Sequence, residues 1–157
     1  MTKAKVYFSD MRTRYGGLSL PQKLGKLIEA AGIEDIDFQN KFAAIKIHFG
    51  EPGNLSFLRP NYAKVVVDAI SDRGGRPFLT DCNTLYVGRR KHALEHITAA
   101  YENGFSPFST GCHVIIADGL KGTDEEYVAV PNGELVQEAK IGKALMDADI
   151  VISLSHF

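Results

Sequence analysis

The chain has 157 residues, which suits one domain that is long enough to bury a sizeable core. Hydrophobic residues make up 45% and charged residues 24%, ordinary values for a folded globular protein, so disorder is not expected. The formal net charge of -1 gives no broad attraction to nucleic acid or to an anionic membrane surface. Small molecules or proteins are therefore the expected partners, with no nucleic acid and no membrane among them.

In the first half of the chain, strands alternate with helices. Val6–Ser9 is predicted as a strand that leads to Asp10, and a helix capped by Ser19 is predicted to run to about Ala31. Phe42–Phe49 alternates as a strand does, and a second helix is predicted from Pro60 to about Asp72, where two glycines follow.

The second half continues the alternation. It is predicted to contain three strands, at Pro77–Thr80, Val114–Ala117 and Ile150–Leu154. A third helix is predicted at Arg89–Glu102 and a short helix at Ile141–Asp147. Glu126–Val130 and Glu134–Lys140 are predicted to pair as a hairpin, because Asn132-Gly133 favours a type I′ turn.

This alternation predicts a single α/β domain over residues 1–157. Its expected architecture is layered, with a parallel-rich mixed sheet flanked by helices and one β-hairpin near residues 125–140. No apolar stretch approaches the roughly 20 residues that span a bilayer, and the N-terminus has no signal-like apolar run. The sequence therefore predicts a cytoplasmic protein.

Polar residues follow each of the five strands that alternate with helices. They are Asp10, His48 with Glu51, Asp81 with Asn83, Asp118, and Ser155 with His156. Ligands of open α/β sheets bind beyond the carboxyl ends of the strands, so these residues are candidates for a common site. The alternative is a solvated rim, since strand ends are polar in most proteins.

His48 and His156 are candidate metal ligands or general acid/base groups. Glu51 could complete a site for a divalent metal, since two histidines and one carboxylate can bind such an ion on one face. The alternative is that each imidazole bonds to a backbone carbonyl. A formal H-x-x-E-H match at His92–His96 lacks a third ligand and is discounted as a metal site.

Three cations, Arg89, Arg90 and Lys91, stand at the predicted start of the third helix. The helix dipole disfavours cations at this position, and an anion bound with help from Asn83 and Thr84 would offset that unfavourable interaction. The alternative is simple solvation of the arginines.

The two cysteines, Cys82 and Cys112, lie 30 positions apart without a C-x-x-C pair, which excludes a self-contained zinc knuckle or ferredoxin-type cluster. Each could be a reactive thiol or a small buried side chain.

Several motifs in order resemble those of one family. They are the segments Ala44–Asn54, Leu58–Pro60, Thr80–Tyr86, Tyr101–Phe105, Ile116–Leu120 and Leu154–Phe157. The chain resembles the uncharacterised iron-sulfur center proteins built on domain of unknown function 362. The resemblance implies a chain that corresponds to the N-terminal part of a longer architecture, in which a ferredoxin-like segment holds [4Fe-4S] clusters. In the family the motif at Ser155–Phe157 continues into a glycine-rich stretch, so we expect a truncated product or a fragment.

Together these features predict a redox-related enzyme or electron-transfer scaffold that binds a small anionic or metal-bound ligand at the strand ends. The expected catalytic groups are His48, Glu51, Asp81 and His156, and the expected ligand-binding groups are Lys46, Arg59, Asn83, Thr84 and Arg89. The alternative is a non-catalytic assembly module that forms a homodimer through an uncovered sheet edge or face.

Overall fold

A computed structural model describes residues 3–156 and confirms the predicted α/β architecture. Four strands form one parallel sheet: β1 (Phe42–Ile47), β2 (Arg76–Asp81), β3 (His113–Ile116) and β6 (Ile150–Leu154). Two more, β4 (Glu125–Ala129) and β5 (Glu138–Gly142), form a separate antiparallel hairpin.

Five α-helices accompany the strands over the described residues. They are α1 (Leu20–Ala30), α2 (Pro60–Ser71), α3 (Ala93–Glu102), α4 (Pro107–Thr110) and α5 (Lys143–Met146), and Ile33–Asp35 adds one 3-10 turn. Helix α1 begins where predicted, because the Ser19 side chain accepts from the Gln22 backbone N–H and the Gln22 side chain accepts in return from the backbone N–H of Ser19. Within residues 3–156, no helix is long and apolar enough to cross a membrane.

The core forms between the sheet and the helices. Alternate residues of β1 and its extension, among them Ile45, Ile47 and Phe49, are almost completely buried on one face of the sheet. Helix α2 packs against them through residues at helical spacing, including Val66 and Ile70. This packing explains why α2 tolerates three consecutive valines of low helix propensity.

Three local predictions were wrong. Val6–Ser9 forms no strand: the side chains of Val6 and Phe8 are 88% and 85% exposed, and none of the described strands pairs with this segment. Helix α3 begins at Ala93 rather than Arg89, because the Nδ1 atom of His92 accepts from a backbone N–H of the first turn.

The third error is the hairpin turn. Asn132 has a positive φ of 61°, but Gly133 is not among the glycines with positive φ, so the two residues do not form a type I′ turn. The strands end and begin farther apart than predicted, at Ala129 and Glu138, and a longer loop joins them.

The strand order β3-β2-β1-β6 defines where a ligand crevice is expected. From β1 the chain steps to β2 and then to β3 on one side of the sheet, whereas β6 pairs with the opposite side of β1. The order therefore reverses between β1 and β6. In open α/β sheets such a switch point opens a crevice beyond the carboxyl ends of the two strands.

Candidate functional site

A cavity of about 360 Å³ opens at this switch point. Its lining comes from the end of β1, the loop that follows β1, and the end of β6. The residues are Lys46, Ile47, His48, Asn54, Ser56, Phe57, Leu58, Leu154, Ser155 and His156. The structure thus brings together Lys46, His48 and His156, three of the residues predicted from sequence, and we call this space the β1–β6 cavity.

The imidazole of His48 is held in one orientation. The backbone N–H of Gly50 donates to its Nδ1 atom at 2.9 Å, so the proton of the neutral ring resides on Nε2. Burial and the neighbouring Arg90 guanidinium lower the pKa of His48, and protonation of Nδ1 would also break the Gly50 bond. In this arrangement His48 is a neutral hydrogen-bond donor through Nε2.

The loop after β1 has a conformation that only some residues allow. Gly50 has a φ of 88°, and a Cβ atom there would lie 2.6 Å from Cδ1 of Phe57. The Asn103 side chain donates to the Phe49 carbonyl at 2.8 Å, and the Ser56 backbone N–H donates to the Asn54 side chain at 2.8 Å. The wall of the cavity is therefore preformed.

A buried arginine joins this loop to the end of β2. The Arg90 Nε atom donates to Glu51 at 2.8 Å, and its Nη2 atom also donates to Glu51 and, at 2.6 Å, to the Tyr86 hydroxyl. Its Nη1 atom donates to Asp81 at 3.3 Å. Arg90 is only 3% exposed, and its planar guanidinium reaches both the buried Asp81 and the partly exposed Glu51.

The pKa values of the two carboxylates of this network shift in opposite directions. Hydrogen bonds from Arg90 lower the pKa of Glu51, although partial burial opposes this effect. Burial raises the pKa of Asp81, although the Lys46 ammonium, whose Nζ atom lies 3.5 Å from Oδ1 of Asp81, opposes it. Lys46 therefore connects the buried network to the β1–β6 cavity, which it also lines.

His96, on α3, lies beside the same network. Its ring is completely buried and packs edge-on against Phe49 with centroids 5.7 Å apart, and neither nitrogen has a hydrogen-bond partner among the described residues. Its Nε2 atom is 4.0 Å from Oδ2 of Asp81. Burial, followed by the charge of Arg90, lowers the pKa of His96 to about 4, so the ring is neutral near pH 7.

Other predicted residues have structural contacts outside the cavity. Asp118 accepts from the backbone N–H of Asn83 at 3.0 Å and from its side chain at 2.9 Å, which ties the ends of β2 and β3 together. The Thr84 hydroxyl donates to the Tyr86 carbonyl. Neither Asn83 nor Thr84 stands at a helix start, because α3 begins later than predicted.

The two arginines predicted to neutralise an anion also lie elsewhere. Arg89 forms a two-bond ion pair with Glu102, and both side chains are largely exposed. Arg59 stacks on the Phe57 ring, with its guanidinium 5.6 Å from the ring centroid, and does not line the β1–β6 cavity. Glu51 and Asp81 belong to the Arg90 network rather than to the cavity lining.

The prediction of His48, Glu51 and His156 as metal ligands gains no support from this arrangement. Over residues 3–156, no group of three or more His, Cys, Asp or Glu side chains is placed to hold a metal ion. A neutral His48 that bound a metal through Nε2 would carry its proton on Nδ1. The Gly50 N–H already donates to Nδ1, so it disfavours a proton there.

Sequence reasoning missed Arg90 as an individual contact, together with Tyr86 and His96. Arg90 was recognised only as one of three cations, since its partner Glu51 lies 39 positions away. His96 had a usable signal: it shares the helical stripe of Ala93 and Ala100, which indicates burial.

Comparison with known proteins gives one match. Residues 43–157 match the model of the family described as domain of unknown function DUF362. The match covers the parallel sheet from the second residue of β1 onward and every residue that lines the β1–β6 cavity. Neither the search of curated proteins nor the search of solved structures found a match.

Proposed function

Because the chain belongs to the DUF362 family, whose description assigns no activity, we propose a function from the site itself: the β1–β6 cavity binds a small anionic ligand. The observation that carries this proposal is the chemistry of the lining at the switch point. Among the described residues that line it, one is an ammonium, two are imidazoles and three are neutral polar groups, and none is a carboxylate.

The polar lining supplies donors suited to an oxyanion. Lys46 carries a positive charge, and His48 offers its Nε2–H because its Nδ1 atom is already occupied. The hydroxyls of Ser56 and Ser155 can donate as well, and Ser155 lies 3.0 Å from the Ser153 hydroxyl. The roles of His48 and His156 in this proposal are to bind and orient the anion.

The redox-related role remains a prediction for this chain, and the [4Fe-4S] clusters that the resemblance implies remain a prediction for longer relatives. A cluster of this type uses thiolate ligands, commonly four, whereas this sequence has two cysteines. Burial raises the pKa values of Cys82 and Cys112 to about 11, so both are thiols near pH 7. These residues do not fit a cluster, and the proposed function requires none.

Substitution of Lys46 tests the anion site. Titration calorimetry with inorganic phosphate and with acetate should show binding to the unaltered chain. Lys46→Met should weaken this binding roughly 10- to 100-fold, because it removes about the free energy of one charge-assisted hydrogen bond. Lys64→Met is the matched control, because Lys64 is a similarly exposed lysine that pairs with Asp68 on α2. Equal affinity in all three proteins, or no binding to the unaltered chain, would contradict the proposal.

Self-assembly is a second candidate function, favoured by the free edge of the sheet. Strand β6 pairs with β1 alone among the described strands, and Val151 on β6 is 54% exposed. Sedimentation velocity over a range of protein concentrations measures the mass in solution. A monomer at every concentration would rule out assembly through this edge.

A further inference from the structure

The lining of the β1–β6 cavity has an apolar part that a simple inorganic anion would not use. Four of its ten residues are hydrophobic: Ile47, Phe57, Leu58 and Leu154. A site for phosphate or a similar ion alone needs donors and charge, and each exposed apolar side chain at its wall would remain in contact with water.

The apolar part is held rigidly by the core. Phe57, Leu58 and Leu154 are partly buried and pack against the core cluster, and Ile47 belongs to that cluster. The Phe57 ring lies 5.9 Å from the Phe105 ring. These contacts fix the hydrophobic wall before any ligand arrives, so binding does not have to order it.

The strand register separates the apolar wall from the polar one. Ile47 is directly opposite Leu154 in the parallel pairing of β1 with β6, so these side chains share one face of the sheet. Lys46 precedes Ile47 in β1, so its side chain leaves the strand on the other face, and His48 follows directly after the strand. A ligand in the cavity therefore meets charge and donors on one side and hydrocarbon on the other.

We propose that the ligand of this cavity is an organic anion with a short apolar tail. Its charged head binds at Lys46 and His48, and its tail lies against Phe57, Leu58 and Leu154. This inference rests on the proposed anion site and adds the chemical class of the ligand. The cavity volume of about 360 Å³ is within the usual range of small-molecule sites.

A series of alkyl phosphates measures the contribution of the tail. Inorganic phosphate and methyl, ethyl, propyl and butyl phosphate are titrated at one pH and ionic strength. Each methylene that becomes buried should tighten binding about fourfold. Equal affinity along the series would overturn the tail proposal while leaving the anion site intact, whereas binding of no member would refute the anion site itself.

Two variants locate the tail in the cavity. Leu58→Ser should weaken the binding of butyl phosphate more than that of inorganic phosphate, and so reduce the gain per methylene. Leu135→Ser is the control, since Leu135 is 98% exposed in the loop between β4 and β5. An equal loss of affinity for phosphate and for butyl phosphate in Leu58→Ser would contradict a tail contact. If Leu58→Ser does not fold, the series on the unaltered chain still decides the proposal.

Discussion

Replacement of Arg90 by methionine tests the network that joins the loop after β1 to the end of β2. Methionine keeps much of the aliphatic stem and removes the guanidinium, which contacts Glu51, Asp81 and Tyr86. The substitution would leave two carboxylates without their shared cation. The Asp81 side chain is 9% exposed and that of Glu51 is 31% exposed, so water can re-solvate only part of the charge.

Removal of one partner from a buried ion pair costs about 3–5 kcal/mol of the free energy of unfolding. We expect Arg90→Met to lower the free energy of unfolding by about 3 kcal/mol, the smaller end of this range, because Glu51 regains some contact with water. That loss is a large fraction of the roughly 5–15 kcal/mol that stabilises a typical domain. The loss should shrink at acidic pH, since protonation of Asp81, whose pKa burial already raises, removes one of the two negative charges that Arg90 balances.

Urea unfolding followed by far-ultraviolet circular dichroism measures this loss, which suits a chain without tryptophan. Arg89→Met is the control, because the adjacent arginine pairs with Glu102 at the exposed surface, where solvent screens the pair, and its loss should change stability far less. Equal losses in the two variants, or a loss below about 1 kcal/mol in Arg90→Met, would refute the assignment of Arg90 as a buried clamp.

Two further predictions concern the loop glycines and the buried imidazole. Gly50→Ala and Gly53→Ala both place alanine at a positive φ, at a cost of about 1 kcal/mol, but only Gly50→Ala adds a clash with Phe57. Thermal unfolding should therefore show a larger loss of stability for Gly50→Ala than for Gly53→Ala. Equal losses in the two variants would disprove the clash. The pKa of His96 is about 4 in the folded chain and near 6.5 in the unfolded chain, so between these pH values the unfolded chain binds one proton that the folded chain does not. Stability therefore falls as the pH decreases through this interval, by about 3 kcal/mol in total. His96→Phe should reduce this pH dependence in urea unfolding, and an unchanged slope would show that other groups cause it.

Local sequence signals predicted much of the architecture. The Ser19 cap, the Pro60 start of α2 and the bounds of β6 are properties of neighbouring residues, and the structure confirms them. The same reasoning failed for Val6–Ser9, which has the composition of a strand but lacks a pairing partner among the described strands. A strand depends on residues far away in sequence, whereas a helix forms its hydrogen bonds within one segment.

The candidate site was predicted only in part, for the same reason. The sequence by itself determined that His48, Asp81 and His156 lie at or just beyond strand ends, because alternation and turn residues mark those ends. Only the tertiary structure decided that β6 lies beside β1, which puts His48 and His156 around one cavity. It also decided that Arg90, rather than Arg89, faces Glu51 and Asp81, because the path of a loop depends on long-range contacts that adjacent arginines do not reveal.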